Sequence, residues 1–230
     1  MDSRQGCRLP LGRRGEARVL LTAAQVLPFP ERLHLSVRFA SAPWDRLVPS
    51  FSPRGDLLDV GCGPGLLAHL LRRARFEGRY TGIDPDPRKV GRADRWLGGD
   101  PRNRFETSGV EDVPPRAFSQ VAIIDVLYLI PRSGRGTFVE RALAGLRPGG
   151  SIVILTSGGG PGWKRLLDRL QERLAVAAGV TRGAAVEPCD GEEIATLLRA
   201  AGLEPITVTA VGSGYTHGFE LVEGRLPDRG

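Results

Sequence analysis

From Asp56 onward, short runs of Val, Ile and Leu alternate with longer segments in which apolar residues return every three or four positions. The short runs read as strands, and the longer segments as helices with one buried face. The pattern predicts strands at Leu57–Val60, Tyr80–Ile83, Arg104–Thr107, Gln120–Ile124, Ile152–Leu155, Pro205–Ala210 and Glu220–Val222. The first, fourth and fifth are almost unbroken apolar runs, as expected of central strands covered on both faces. Helices fit between them at Leu66–Arg75, Arg88–Leu97, Gly136–Leu146, Trp163–Ala178 and Glu192–Ala201. Glycine and proline mark their ends, as in Arg147-Pro148-Gly149-Gly150 and at Gly202.

Strand and helix in alternation describe an α/β fold with a mainly parallel, Rossmann-like seven-stranded sheet. Gly212-Ser213-Gly214 joins the last two strands closely enough for an antiparallel C-terminal hairpin. Ahead of the sheet, Glu16–Leu27 and Glu31–Phe39 carry helical patterns broken by Pro28 and Pro30. This stretch is too short to fold alone and reads as an N-terminal helical cap over the carboxyl edge of the sheet. The expected division is a cap over residues 1–50 and one catalytic domain over 51–230, with 157–190 as an inserted lid.

Composition narrows the class. Hydrophobic residues are 41% and charged residues 25% of 230, ordinary for a globular protein. Cys7, Cys62 and Cys189 are too few and too widely spaced for a disulfide framework or a metal cluster, which favours a reducing, cytoplasmic location. No stretch has the length and apolarity of a signal peptide or a membrane span. The net charge of +6 is carried almost wholly by arginine, since Lys89 and Lys164 are the two lysines. The arginines lie beside acids rather than in blocks, the pattern of solvated helix faces rather than of a nucleic-acid footprint.

The chemistry concentrates at Asp59-Val60-Gly61-Cys62-Gly63-Pro64-Gly65, where a strand runs into a glycine loop and then a helix. Glycines at 61, 63 and 65 let the backbone turn tightly and approach a ligand. Asp84 closes the next strand, 19 positions after Gly65, where a carboxylate meets the two hydroxyls of a ribose. The two features describe an adenosine-containing ligand. A nicotinamide fingerprint would place its third glycine where Leu66 stands, and its pyrophosphate would meet the repulsion of Asp59. A sulfonium and an ammonium group tolerate that acid.

These segments resemble class I S-adenosylmethionine-dependent methyltransferases, from about Arg54 to Val222. The glycine loop resembles that family's first motif and Gly82-Ile83-Asp84-Pro85-Asp86-Pro87 its second. Val121 to Tyr128 resembles the fourth-strand motif, and Leu146 to Gly150 followed by Ile152-Val153-Ile154 the turn into the fifth strand. The resemblance implies S-adenosyl-L-methionine as cofactor, bound by Asp59, Gly61, Gly63, Gly65, Asp84, Pro85 and Asp125. In the third motif Gly109 stands where the family commonly has an acid facing the adenine amino group. That contact falls to backbone groups near Val110 or to Glu111, although Glu111 and Asp112 read equally well as solvated acids.

Methyl transfer from a sulfonium needs mainly alignment of donor and acceptor, and a base only where the acceptor must lose a proton. Tyr128, His34 and His217 are the catalytic candidates, whereas His69 sits among leucines and reads as structural. The place after the fourth strand reads Asp125-Val126-Leu127-Tyr128 and lacks the prolines of base-amino methyltransferases, which demotes a nucleic-acid acceptor. Protein acceptors and a non-catalytic nucleoside-binding subunit stay open. Trp163, Leu166, Leu167, Leu170 and Leu174 form an apolar stripe on a helix expected to cover, with His34 and Trp44, a pocket for a small apolar or aromatic acceptor. Oligomeric state is not set by the sequence.

Overall fold

The computed structural model describes residues 6–10, 32, 35–36, 39–40, 42–157, 187–212 and 218–228. Seven strands form one sheet: β1 Leu57–Val60, β2 Tyr80–Asp84, β3 Asn103–Thr107, β4 Phe118–Ile124, β5 Leu146–Ser157, β6 Ile206–Ala210 and β7 Phe219–Arg225. Their order is β3-β2-β1-β4-β5-β7-β6. The first five run parallel, while β7 pairs antiparallel with both β5 and β6. This is the Rossmann-like architecture that the alternation predicts, with the C-terminal strands reversed.

Among the described residues, helices α1 Trp44–Leu47, α2 Leu66–Arg73, α3 Pro87–Leu97, α4 Arg132–Ala144 and α5 Gly191–Ala200 accompany the sheet. Two of them start on an aspartate whose carboxylate accepts from the first turn, Asp86 from Arg88 N–H and Asp190 from Glu193 N–H. The central strands divide their side chains between two cores, as a period of two requires. Leu57, Ala122, Ile124, Val153 and Leu155 join α2 in one, and Leu58, Val121, Ile123, Ile152 and Ile154 join α4 and α5 in the other. Leu35, Phe39, Trp44, Leu47 and Phe51 are buried in the first core, so these N-terminal residues are part of the packed unit.

Both ends of α4 differ from the expected Gly136–Leu146. α4 begins four residues before Gly136 and ends at Ala144, because Leu146 already pairs with Phe118 across an irregularity in the β4–β5 ladder. The carbonyls that α4 leaves at its end accept from Arg116 N–H and Phe118 N–H, on the approach to β4. The expected helices Glu16–Leu27 and Trp163–Ala178 lie outside the described residues, as does the turn between β6 and β7. Of the stretch 31–39, Arg32, Leu35, Ser36 and Phe39 are described and helical.

β1 is followed by a partner on one side, β2, and by β4 on the other. Strand order reverses there, and a crevice opens above the carboxyl ends of β1 and β4.

Candidate functional site

That crevice holds a cavity of about 750 Å³, within the range of a small-molecule site. Its floor is the glycine loop between β1 and α2. Gly61 N–H and Cys62 N–H both donate to the carbonyl of Ile83, at 2.8 and 3.0 Å, which fastens the loop to β2. Gly61, Gly63 and Gly65 all have positive φ, at 78°, 54° and 85°. A Cβ on Gly61 would stand 2.5 Å from Val126 Cγ2, whereas one on Gly63 would meet nothing within 4 Å and would enter the cavity. Gly63 is therefore the place where a ligand comes up against bare backbone.

Asp84 ends β2 and is 4% exposed. Its Oδ2 accepts from Gly63 N–H at 3.1 Å and its Oδ1 from Asp86 N–H at 2.9 Å, with Lys89 Nζ at 3.8 Å. Each oxygen keeps a lone pair for a ligand hydroxyl. The carboxylate thus sits in the cavity wall, tied to the glycine loop and to its own loop.

Asp59, 2% exposed, also lines the cavity. The sequence alone sets it beside a positive ligand group. The structure adds an internal partner, since the buried Tyr80 hydroxyl donates a short hydrogen bond to Asp59 Oδ2. Burial, and then the neighbouring Asp59 charge, push the Tyr80 phenol well above its ordinary range, so it stays a donor. The same two causes, burial first, raise the Cys62 thiol in the loop between Asp59 and Asp84. Protonated and buried, it is a wall atom rather than a nucleophile.

Beyond β3, Ser108, Gly109, Val110 and Glu111 form one end of the cavity. A Cβ at Gly109 would fall 2.2 Å from Glu111 Oε1. The Glu111 carboxylate has folded into the space that a side chain at 109 would occupy. A glycine at 109 is what makes room for it.

The opposite wall comes from the loop after β4. Asp125 adopts φ 59°, a left-handed conformation that aspartate tolerates, and Ser157 Oγ donates to its Oδ1 at 3.3 Å. Tyr128, Leu129 and Ile130 continue that wall, and Leu35 and Trp44 close it from the N-terminal side. Of the residues picked out by sequence, Asp59, Gly61, Gly63, Asp84, Pro85, Val110, Glu111, Asp125 and Tyr128 all line this one cavity. Gly65 does not. Its φ of 85° at the N-cap of α2 and the contacts a Cβ would make with Leu97 and Ala93 give it a packing role. His34 and His217 lie outside the described residues.

His69 is away from the cavity, 7% exposed, with its ring stacked on Trp96 at 4.8 Å. Burial, and then the Arg73 charge, lower it to about 4, so it is neutral and structural, as its leucine neighbours imply. The sequence does not single out Lys89 or the α4 face made by Gly134, Thr137, Phe138 and Arg141, which also line the cavity. The i, i+3, i+4, i+7 spacing of that face was the available signal. Among the described residues, no group of three or more His, Cys, Asp or Glu could hold a metal ion, and no helix is long and apolar enough to cross a membrane.

Comparison with known proteins agrees with this geometry. The family model described as "Methyltransferase domain" matches residues 32–208. A tRNA U34 carboxymethyltransferase of Geobacter sp. (strain M21) is 36% identical over 121 residues, covering 49% of this chain and 36% of that protein. A trans-aconitate 2-methyltransferase of Rhizobium meliloti (strain 1021) is 34% identical over 104 residues, covering 44% of this chain and 38% of that one. The matches thus span a little over a third of these curated relatives. Among solved structures, the S-adenosylmethionine-dependent methyltransferase SibL superposes with a TM-score of 0.65 at 21% identity, covering 90% of this chain and 62% of that chain. A SAM-dependent methyltransferase from Archaeoglobus fulgidus superposes at 0.62 and 11% identity, covering 79% and 90%. A family match over most of the chain, on this sheet order and this glycine loop, places the chain in the methyltransferase-domain family of class I enzymes, whose methyl donor is S-adenosylmethionine.

Proposed function

We propose that this protein transfers the methyl group of S-adenosylmethionine to a small, largely apolar or aromatic acceptor. The observation that carries the reading is the makeup of the wall beyond the donor cradle. Leu35, Trp44, Tyr128, Leu129 and Ile130 face the cavity there, and none is charged. An acceptor held by such a wall is recognised by apolar contact and shape, with the Tyr128 hydroxyl in the wall and Thr137 and Arg141 on the adjoining α4 face as polar groups.

The cradle fits the donor on two observations, the open Cβ direction at Gly63 and the buried Asp84 carboxylate with a free lone pair on each oxygen. Asp84 takes the ribose hydroxyls, with Pro85 beside them. Glu111 and the backbone at Val110 take the adenine edge. Asp59, Gly61 and Asp125 surround the methionine part. When bound, S-adenosylmethionine supplies a methyl group already activated on sulfur. The chain's own work is then to hold the acceptor in line and keep water away, and near-attack geometry contributes roughly 7–11 kcal/mol in well-oriented systems. Tyr128 is the candidate for orienting or deprotonating the acceptor, with His34 and His217 as further candidates. The buried, unpaired thiols fit a reducing compartment, and we place the enzyme in the cytoplasm.

A tRNA acceptor is the second reading, favoured by the likeness to a tRNA carboxymethyltransferase over about half of this chain. One experiment separates the two. S-adenosylhomocysteine formation is measured with phenols, carboxylic acids, amines and lipid-like alcohols, and in parallel with bulk tRNA. Turnover on an apolar small molecule supports the first reading, and turnover on tRNA alone overturns it. Asp84→Ala should weaken S-adenosylhomocysteine binding by about 1.5–3 kcal/mol, the worth of hydrogen bonds to a charged group. Unchanged affinity would refute the donor site itself.

A further inference from the structure

Arg135 is a charged side chain, 1% exposed, in the second turn of α4. It belongs to neither the donor cradle nor the cavity wall. Its Nε donates to the carbonyls of Leu127 and Ile130, at 3.2 and 3.1 Å. Nη2 donates to Glu187 O at 2.6 Å, and Nη1 to Pro188 O at 3.1 Å and to the Glu193 carboxylate at 2.8 Å. One guanidinium thus ties three pieces of chain that meet at the cavity's edge.

The first piece is the 3-10 turn Leu127–Leu129, with Ile130 capping it. A 3-10 turn leaves its last carbonyls free, and Pro131, the next residue, has no N–H to offer one. Arg135 supplies a donor to the Ile130 carbonyl and a second one to that of Leu127, which already accepts from Ile130 N–H, while the Tyr128 carbonyl accepts from Glu187 N–H. The second piece is Glu187–Cys189, where the chain returns after β5. It is fastened to the same turn by Glu187 N–H to Tyr128 O at 3.1 Å, and to β5 by Thr156 Oγ1 to Cys189 O at 2.7 Å. The third is the first turn of α5, whose Glu193 carboxylate also takes Arg132. A solvated helix face would not bury a guanidinium on four backbone carbonyls.

We propose that Arg135 is the positioning residue of the acceptor wall. By holding Leu127 and Ile130 on either side of Tyr128 and Leu129, it fixes where those side chains stand, without touching donor or acceptor. The proposal rests on the reading above only in taking Tyr128–Ile130 as the acceptor side. That it positions Tyr128 is testable without knowing the acceptor.

The chain has three tyrosines, Tyr80 beside the donor cradle, Tyr128 in the wall, and Tyr215. With 3-fluorotyrosine incorporated, each gives a fluorine NMR line, and Tyr128→Phe assigns the wall's line. Arg135→Lys keeps the charge but loses the planar fork that reaches all three pieces. The expected result is a shifted or split Tyr128 line, an unmoved Tyr80 line, and a dissociation constant for S-adenosylhomocysteine within twofold of the parent. Arg135→Ala should show the same change, reversed by added guanidinium ion and not by ammonium at equal ionic strength. Glu193→Gln, which keeps the four carbonyl contacts, serves if both arginine variants fail to fold, and should move the Tyr128 line alone by a smaller amount. An unmoved Tyr128 line in a folded variant overturns the proposal. So does a joint change of Tyr128, Tyr80 and S-adenosylhomocysteine affinity, because Arg135 would then be holding the whole fold. If acceptor screening instead points to tRNA while the Tyr128 line still responds, the acceptor class is wrong and the positioning role stands.

Discussion

His69 should make the fold sensitive to mild acid in a way that one substitution removes. Its ring is held neutral at about 4 by burial, and then by Arg73 on the next turn of α2, against about 6.5 in an unfolded chain. Between those two values the unfolded chain binds the proton and the folded one does not. Stability is therefore full above about pH 6.5 and is lost as pH falls toward 4. The two values imply a loss of about 1.4 kcal/mol at pH 5.5 and about 2.5 kcal/mol at pH 4.5, relative to pH 7.5. For a chain of this size that corresponds to a fall of roughly 5–10 °C in melting temperature. His69→Phe keeps the stacking on Trp96 and removes a ring nitrogen, Nε2, that is buried without a hydrogen-bond partner. Urea unfolding of parent and variant at pH 7.5, 5.5 and 4.5 isolates the effect, because the carboxylates are common to both proteins. The parent should lose about 2.5 kcal/mol more than the variant across that range. Parallel pH profiles would refute the reasoning, and would mean that the site opens or hydrates easily enough to protonate in place.

Gly63→Val puts a branched side chain into the cavity at φ 54°, adding a backbone cost of about 1–3 kcal/mol to the steric one. Calorimetry should find S-adenosylhomocysteine binding weakened at least tenfold, and parental affinity would contradict the placement of the ligand. Tyr80→Phe removes the hydroxyl that donates to the buried Asp59 carboxylate, and should lower unfolding stability by about 1.5–3 kcal/mol in urea titrations. Cys7, Cys62 and Cys189 are at most 7% exposed, and burial raises the first and last to about 11. A thiol reagent at pH 8 should label none of them quickly in the native protein and all three in urea. Fast labelling of one thiol without denaturant would count against its burial.

The sheet was legible because its strands are short apolar runs separated by glycine and proline. β1 matches its run residue for residue, β6 loses only Pro205, and β5 and β7 extend where cross-strand pairing recruits neighbours such as Leu146 and Phe219. The donor half of the site was legible because one local motif and one acid at a fixed distance carry it. What the sequence hides is long-range. Arg135 stands just ahead of the expected helix Gly136–Leu146 with nothing in the sequence to single it out, and only the return of Glu187 and Pro188 turns it into a buried clamp. Glu111 reads equally well as a solvated acid, because its fold-back over Gly109 depends on loop geometry that no periodicity encodes.

The chain leaves β5 at Ser157, which is bonded to Asp125, and returns at Glu187, which is bonded to Tyr128. Departure and return are thus anchored to one short loop, so the intervening stretch 158–186 closes a ring whose ends are already fixed. Closing such a ring costs only about 0.6 kcal/mol more for each doubling of its length. Closure between these two anchors therefore sets little limit on the length of the chain between them. A change in the number of residues between the two anchors costs little in closure entropy while Ser157 and Glu187 stay bonded to the loop after β4.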